Sequence, residues 1–359
     1  MNVEADKVRR QILLILQAWG MAPDMAEMTA GLMVETDLMG IDSHGISMLM
    51  TYEELRQSGA LDLKSRPSVV RETGCTALVD GGAGLGHPVS SMAMNLAVDK
   101  ALVHGVGVVG VRNSHHFGAA GVYARMASDR KVIGMVTSAT RGVTMVPTRA
   151  TIPVLGTNPL AFAAPAQRNR PFVLDMATTT IAAGKVKVHH LNDKQMPPGW
   201  VVDDSGQPVV DPHLGMDYVF KRPDGGLTPL GGTREHGSHK GYGLAMMAHI
   251  LGGTLTGGSF SPIRNRNKKP GDPDNIGHFF LALNPRCFRE EGEFQDDLDE
   301  VIDELRATPS ANPDEPVLVA GDPEAHTREN RLRNGIPVPP RLEAHIREIC
   351  GRCGAEYVL

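Results

Sequence analysis

Cysteine is scarce in this 359-residue chain: Cys75, Cys287, Cys350 and Cys353 are too few for a disulfide framework and point to a reducing cytoplasm. Cys350-Gly-Arg-Cys353 is a lone C-x-x-C with no second pair to complete a zinc site. No stretch carries the dense ligand spacing, such as H-x-x-x-H, that a metal-dependent hydrolase would need, so no metal is expected. An excess of one charge is lacking too. The formal net charge of -5 offers no broad attraction for a polyanion, and the densest basic run, Arg264 to Lys269, is closely followed by Asp272 and Asp274. Nucleic acid is therefore not an expected partner. Nor is a membrane: the only signal-like apolar core, Ile12 to Leu16, is shorter than a secretory h-region and is broken by Gln17.

What is present is an ordinary folded composition, 41% hydrophobic and 21% charged, in a chain longer than the roughly 250–300 residues at which single cores stop growing. Two or three domains are expected, and no internal repeat is visible. The first 60 or so residues read as helices: Ile12, Ile15, Leu16 and Trp19 recur at helical spacing, Pro23 opens a second helix with Met25, Met28, Leu32 and Met33 on its buried stripe, and Ile46 to Leu55 forms a third. Ser43-His44-Gly45 lies at the joint between the second and third. Around Thr76 the period changes to that of a strand. A glycine-rich stretch, Gly81 to Gly86, reads as a loop, followed by a helix from Pro88 to His104 and a strand into Val111.

That order of strand, glycine loop, helix and strand is the order a Rossmann dinucleotide fold requires, but the acidic residue that should end the second strand is replaced by Arg112-Asn113-Ser114. Gly105-Val-Gly-Val-Val-Gly110 matches G-x-G-x-x-G only as a string, because it sits between a helix and a strand. A Rossmann domain is thus disfavoured. The strand delivers His115-His116-Phe117-Gly118 to a loop, a usual place for catalytic groups, and side-chain alternation lets only one of the two histidines face a site there. Farther on, Phe172 to Thr180 is a strand whose Asp175 is followed by small hydroxyl residues suited to a phosphate or ribose. Gly199 to Pro208 is a hairpin-like connection. Lys240 adds charge at the start of the apolar helix Leu244 to Leu251, where free N–H groups favour an anion. His189-His190 reads as part of a strand, with the two rings on opposite faces. His87, His104, His213, His249 and His345 read as surface or satisfied core histidines.

Six ordered stretches, Asp42-Ser-His-Gly45, Asn113 to Gly118, Leu155-Gly-Thr-Asn-Pro159, Leu174-Asp-Met-Ala-Thr178, Trp200-Val-Val-Asp203 and His239-Lys-Gly-Tyr-Gly243, together resemble the malate/L-lactate dehydrogenase family that is distinct from the Rossmann malate and lactate dehydrogenases. That family includes ureidoglycolate, sulfolactate and diketogulonate oxidoreductases and piperideine-carboxylate reductases. The resemblance covers nearly the whole chain. It implies an α/β fold with a non-Rossmann central sheet domain, residues 73–285, beside a discontinuous helical domain built from residues 1–72 and 286–359, paired in a homodimer. It also implies NAD or NADP at Thr140, Asp175, Met176, Ala177, Lys240, Gly241, Gly321 and Asp322, with His44 and His116 as catalytic histidines.

The expected function is hydride transfer between nicotinamide and a small malate- or lactate-like 2-hydroxy or 2-keto acid. An imidazole suits the accompanying proton; His116 is assigned as the base and His44 as the second acid/base or orienting group, with a swap left open. Ser43 and Tyr52 are placed on the substrate or on His44. Relatives commonly carry an arginine in Ser-His-Gly-Val-x-Arg where this chain has Met48, and a thioether cannot make a bidentate ion pair. Arg141 is the first candidate to replace it and Arg234 the second. Imino-acid reduction and a catalytically silent nucleotide-binding relative remain as alternatives.

Overall fold

A computed structural model describes residues 1–359. The N-terminal apolar stripes form helices Ala5–Ala18 and Pro23–Leu38, which bury Val8, Ile12, Ile15, Leu16, Met25 and Met33 in one core. The third segment begins as a 3-10 turn, Ile46–Met48, before the helix Leu49–Gln57. The far end of the chain completes this core. Helix Pro340–Cys353 contributes Ile346 and Ile349, and strand Asn2–Val3 pairs antiparallel with Ile336–Pro337. A helical layer drawn from both ends of the chain is thus part of the α/β fold.

The second core lies on a seven-stranded sheet in the order Ser68–Glu72, Thr76–Gly84, Val106–Ser114, Ile276–Leu283, Ile133–Ser138, Leu160–Ala164, Phe172–Met176. Only Thr76–Gly84 and Val106–Ser114 run parallel; every other neighbouring pair is antiparallel. That pattern is incompatible with a doubly wound parallel sheet. Helix Gly86–His104 is the crossover between the parallel strands. The G-x-G-x-x-G string has a packing cause: a Cβ on Gly107 would run into the carbonyl of Ala97 on that helix.

Two local expectations are corrected. Gly81 to Gly84 are strand residues rather than a loop, because Gly84 pairs with Ser114 across an irregularity after Asp80, whose Oδ1 accepts from the Gly82 N–H at 2.9 Å. His189 and His190 lie on helix Ala183–Leu191, not a strand. Val186 of that helix is buried in a small separate core with Tyr218 and Val219 of helix Pro212–Phe220 and with the hairpin strands Val201–Val202 and Pro208–Val209. The apolar segment near residue 244 starts earlier than expected, at Ser238, and runs to His249, so Lys240 stands in its first turn. No helix is long and apolar enough to cross a membrane.

Candidate active site

The turn after helix Pro23–Leu38 holds Ser43 and His44, and its shape is imposed by a buried carboxylate. Asp37 is 2% exposed and accepts the Ile46 N–H at 2.8 Å, filling the space beside Gly45 that a Cβ would need. Burial raises the Asp37 pKa to about 8. Arg331, on helix Asp322–Asn334, clasps Asp42 with both amino groups and donates to the Asp37 carbonyl at 2.6 Å. The C-terminal part of the chain thereby fixes the loop that carries His44. Ser43 Oγ sits 2.7 Å from His44 Nδ1.

His116 arrives from the opposite side, on the loop after strand Val106–Ser114. Its ring centroid is 5.2 Å from that of His44. Tyr52, fully buried on helix Leu49–Gln57, places its hydroxyl 2.8 Å from His116 Nδ1, and the Gly118 N–H donates to the same nitrogen at 3.3 Å. Burial pushes the Tyr52 hydroxyl pKa up, so it remains a neutral phenol. Desolvation holds His116 well below the usual imidazole value, and the charges of His44, His87, His278 and Arg141 act in the same direction. His44 is lowered by desolvation alone. His115 turns the other way, with Nε2 2.9 Å from the Ala60 carbonyl and Nδ1 3.4 Å from Asp274.

Three residues of this site lay outside the sequence-based set. His87, read from sequence as a surface or core histidine, is 1% exposed and packs edge-on against Tyr52, with ring centroids 6.0 Å apart and both ring nitrogens unpartnered. His278 accepts from or donates to Ser138 Oγ at 2.8 Å through Nδ1, lies 3.2 Å from the His115 carbonyl through Nε2, and stacks on Phe117 at 4.5 Å. Burial lowers the pKa values of His87 and His278 to about 3. Asp37 is the third. The run of glycines before helix Gly86–His104 also serves this loop: Gly86 donates to the His116 carbonyl at 3.0 Å, and a Cβ there would lie 2.5 Å from the His115 carbonyl oxygen.

Arg141 lies within electrostatic reach of His116 and is 45% exposed, with Nε 3.7 Å from Asp274 and no hydrogen bond donated by its guanidinium. Asp274 is more tightly held by Lys268 Nζ, at 2.7 Å. Arg234 lies elsewhere, in a polar cleft of about 380 Å³ with Arg149, Ser205 and Gln207. Met48 packs against the helical core.

The remaining sequence-derived residues form a stripe beyond the histidines. Asp175 and Gly321 line one cleft of about 200 Å³ with Arg125, Arg170 and Arg328. One Asp175 oxygen accepts the Gly121 N–H at 2.7 Å, and partial desolvation beside the cleft raises its pKa. Met176 and Ala177 lead to Thr178, whose carbonyl accepts from Leu230; Leu230 in turn accepts from Gly241, next to Lys240. Asn158, a residue that the sequence left without a role, ties the stripe together. Its Oδ1 accepts from Thr140 Oγ1 at 3.1 Å, its Nδ2 donates to the Ala245 carbonyl at 3.0 Å, and its own carbonyl accepts from Thr178 Oγ1 at 3.1 Å. Asp322 is committed through both oxygens to Arg306. No group of three histidine, cysteine or acidic side chains is arranged to hold a metal.

Paired histidines can exchange a proton, and the polar stripe tied together by Asn158 can line an extended polar ligand. Residues 3–347 match the family model described as malate/L-lactate dehydrogenase. A malate dehydrogenase of Pyrococcus abyssi is 36% identical over 99% of this chain and 96% of its own length, and an L-sulfolactate dehydrogenase of Methanocaldococcus jannaschii is 33% identical over 99% and 98%. The crystal structure of malate dehydrogenase from Entamoeba histolytica superposes with a TM-score of 0.93, at 31% identity, covering 99% of both chains. The chain belongs to the malate/L-lactate dehydrogenase family. It is an oxidoreductase acting on a CH–OH group of the hydroxy-acid and keto-acid type.

Proposed function

We propose that this protein uses NAD or NADP to interconvert a small 2-hydroxy acid and its 2-keto acid, with His44 and His116 handling the proton. The observation that carries this reading is the meeting of Ser43, His44, Tyr52 and His116 from separate segments at one point. The residues suit a dinucleotide. Lys240, which has no ion-pair partner, offers an ammonium in the first turn of a 12-residue helix, where the helix dipole adds to its attraction for a phosphate. Asp175 has a second oxygen with no hydrogen bond, available to a ribose hydroxyl, and a Cβ on Gly121 would push the Asp175 side chain aside, at 2.9 Å from its Cβ. Thr140, Met176, Ala177, Gly241 and the Gly321-Asp322 turn would line the rest, Asp322 through its backbone.

When bound, the nicotinamide supplies or accepts the hydride. The chain's own residues orient the acid, exclude water and exchange the proton at the substrate oxygen. Arg141, with its guanidinium unspent on hydrogen bonds, would hold a substrate carboxylate in place of the arginine that Met48 replaces. Leaving a buried carboxylate unpaired would cost several kcal/mol.

The same proposal includes a homodimer in the cytoplasm. Exposed Leu102, Val103 and Phe288 flank the contact between Gly105 and Cys287 and form an apolar patch suited to a second copy. All four cysteines are unpaired, which supports a reducing compartment. The two main cores support a helical layer from both ends of the chain with a boundary near residue 285, but the boundary expected at residue 72 moves ahead of strand Ser68–Glu72, because that strand is hydrogen-bonded into the central sheet. Fluorescence titration with NADH and with NADPH tests the cofactor assignment: saturable binding that weakens in Lys240→Ala supports it, and no binding of either nucleotide overturns it.

A further inference from the structure

The division of labour between the two histidines follows from which ring nitrogen can carry a proton. Gly118 N–H can only donate, and it points at His116 Nδ1 from 3.3 Å; the Tyr52 hydroxyl approaches the same nitrogen at 2.8 Å. A proton on Nδ1 would face the amide hydrogen of Gly118 head-on. The neutral ring therefore keeps its hydrogen on Nε2 and its lone pair on Nδ1. The position is suited to glycine. Its φ is +79°, and a Cβ there would lie 2.9 Å from His87 Nε2, so only glycine presents its amide here without strain. His278 fixes the same loop from below through the His115 carbonyl and Phe117.

His44 has no such restriction. Its Nδ1 partner is the Ser43 hydroxyl, 2.7 Å away, which can donate to a bare nitrogen or accept from a protonated one. The imidazole and the imidazolium are both satisfied there. The groups packed around His116 also disfavour a second proton on it: Tyr52, His87, His278, Arg141 and His44 offer no carboxylate.

The geometry points to His116 acting as a neutral hydrogen-bond donor that polarises the substrate oxygen through Nε2–H, while His44 is the group that gives and takes the proton. This rests on the keto-acid reading above. In reduction, the hydride brings two electrons to the carbonyl carbon and the C=O π pair moves onto oxygen. That oxygen takes the proton of the His44 imidazolium and leaves His44 neutral. The His116 N–H bond is unchanged throughout. Oxidation runs the same steps backward, with neutral His44 as the base. Fixed donors aimed at an oxygen that becomes charged are worth about 10²–10³-fold in rate each.

Two experiments separate this inference from the function it rests on. Long-range ¹H–¹⁵N spectra of the histidine rings, assigned with His116→Gln, need no turnover. The expected spectrum shows His116 protonated at Nε2 and bare at Nδ1; a proton on Nδ1 overturns the inference whatever the enzyme does. The second compares variants in keto-acid reduction. Glutamine places an amide N–H near the position of Nε2–H but cannot shuttle a proton, so His116→Gln should stay within about 10-fold of the parent while His116→Ala falls about 10²-fold or more. In reduction His44 must be protonated, so activity falls as pH rises through its lowered pKa; His44→Gln should lose this alkaline limb, which lies on the acid side of the ordinary imidazole value, and His116→Gln should keep it. If His116→Gln is as inactive as His116→Ala, or if the limb disappears with His116 and survives in His44→Gln, His116 is the proton carrier and the inference fails.

Discussion

Tyr52 Oη and His116 Nδ1 lie 2.8 Å apart, joining a helix of the N-terminal layer to the loop at the end of a central strand. Neither ring has another side-chain partner at that contact, so the hydroxyl is what orients the imidazole from the helical side. Tyr52→Phe removes one neutral hydrogen bond worth about 0.5–1.5 kcal/mol, which corresponds to a loss of up to about 10-fold in kcat. The cofactor dissociation constant should stay the same. Steady-state kinetics with a parallel nucleotide titration checks both, and a variant with parent-like kcat would show that Tyr52 is only packing.

Asp37 gives a stability prediction with a definite sign. Its folded pKa, about 8, is raised above the ordinary 3.8 by burial, so the folded state binds a proton that the unfolded state releases. The contribution is intact below about pH 4 and is lost as pH rises toward 8 and through it. Asp37→Asn, which can still accept the Ile46 N–H, should match the parent's melting temperature in acid and exceed it in alkali. Parallel melting curves across that range would remove Asp37 from the account.

The contrast between Tyr52 and Asp37 shows what the amino-acid sequence discloses. His44 and His116 stand where a helix or strand passes into a polar loop, and such junctions are visible in hydrophobic periodicity. The non-Rossmann sheet was foreshadowed by the missing acid at Arg112 to Ser114. The support beneath the site was not visible. Asp37 looks like one more polar residue near a helix end, and Asn158 is a bare asparagine within a turn-rich motif. Asn158 and His278 take their roles from partners far along the chain: Ala245 for Asn158 and, for His278, Ser138 and the His115 carbonyl. The Gly81 to Gly86 run is legible as unusual backbone and reads as a loop, whereas its glycines let a strand and a helix start approach the histidine loop closely. His189-His190 reads as strand in sequence, yet packing against helix Pro212–Phe220 favours a helix.

Lys240→Ala should raise the Michaelis constant for the dinucleotide about 10-fold and leave that of the acid nearly unchanged, because a charge at a helix start meets phosphate and not the reacting carbon. Movement of the acid's constant alone would reassign Lys240 to the substrate pocket.

Substrate grip is tested at Arg141 and Met48. Arg141→Ala should raise the Michaelis constant for simple 2-keto acids such as pyruvate and oxaloacetate by about 10- to 100-fold, the scale of one charge-assisted hydrogen bond lost. Met48→Arg should lower it or widen the range of acids accepted. An arginine variant with normal constants, together with a Met48 variant that gains nothing, would exclude the carboxylate exchange and favour a bulkier, less acidic substrate.

The central claim is tested most directly by adding purified protein to NADH or NADPH with a panel of 2-keto acids and following the loss of reduced-nicotinamide absorbance. The account predicts turnover with at least one acid and one nucleotide, the corresponding 2-hydroxy acid as product, and no such loss with His44→Ala. Saturable nucleotide binding without turnover on any keto or cyclic imino acid would contradict it and mark the protein as a silent member of its family.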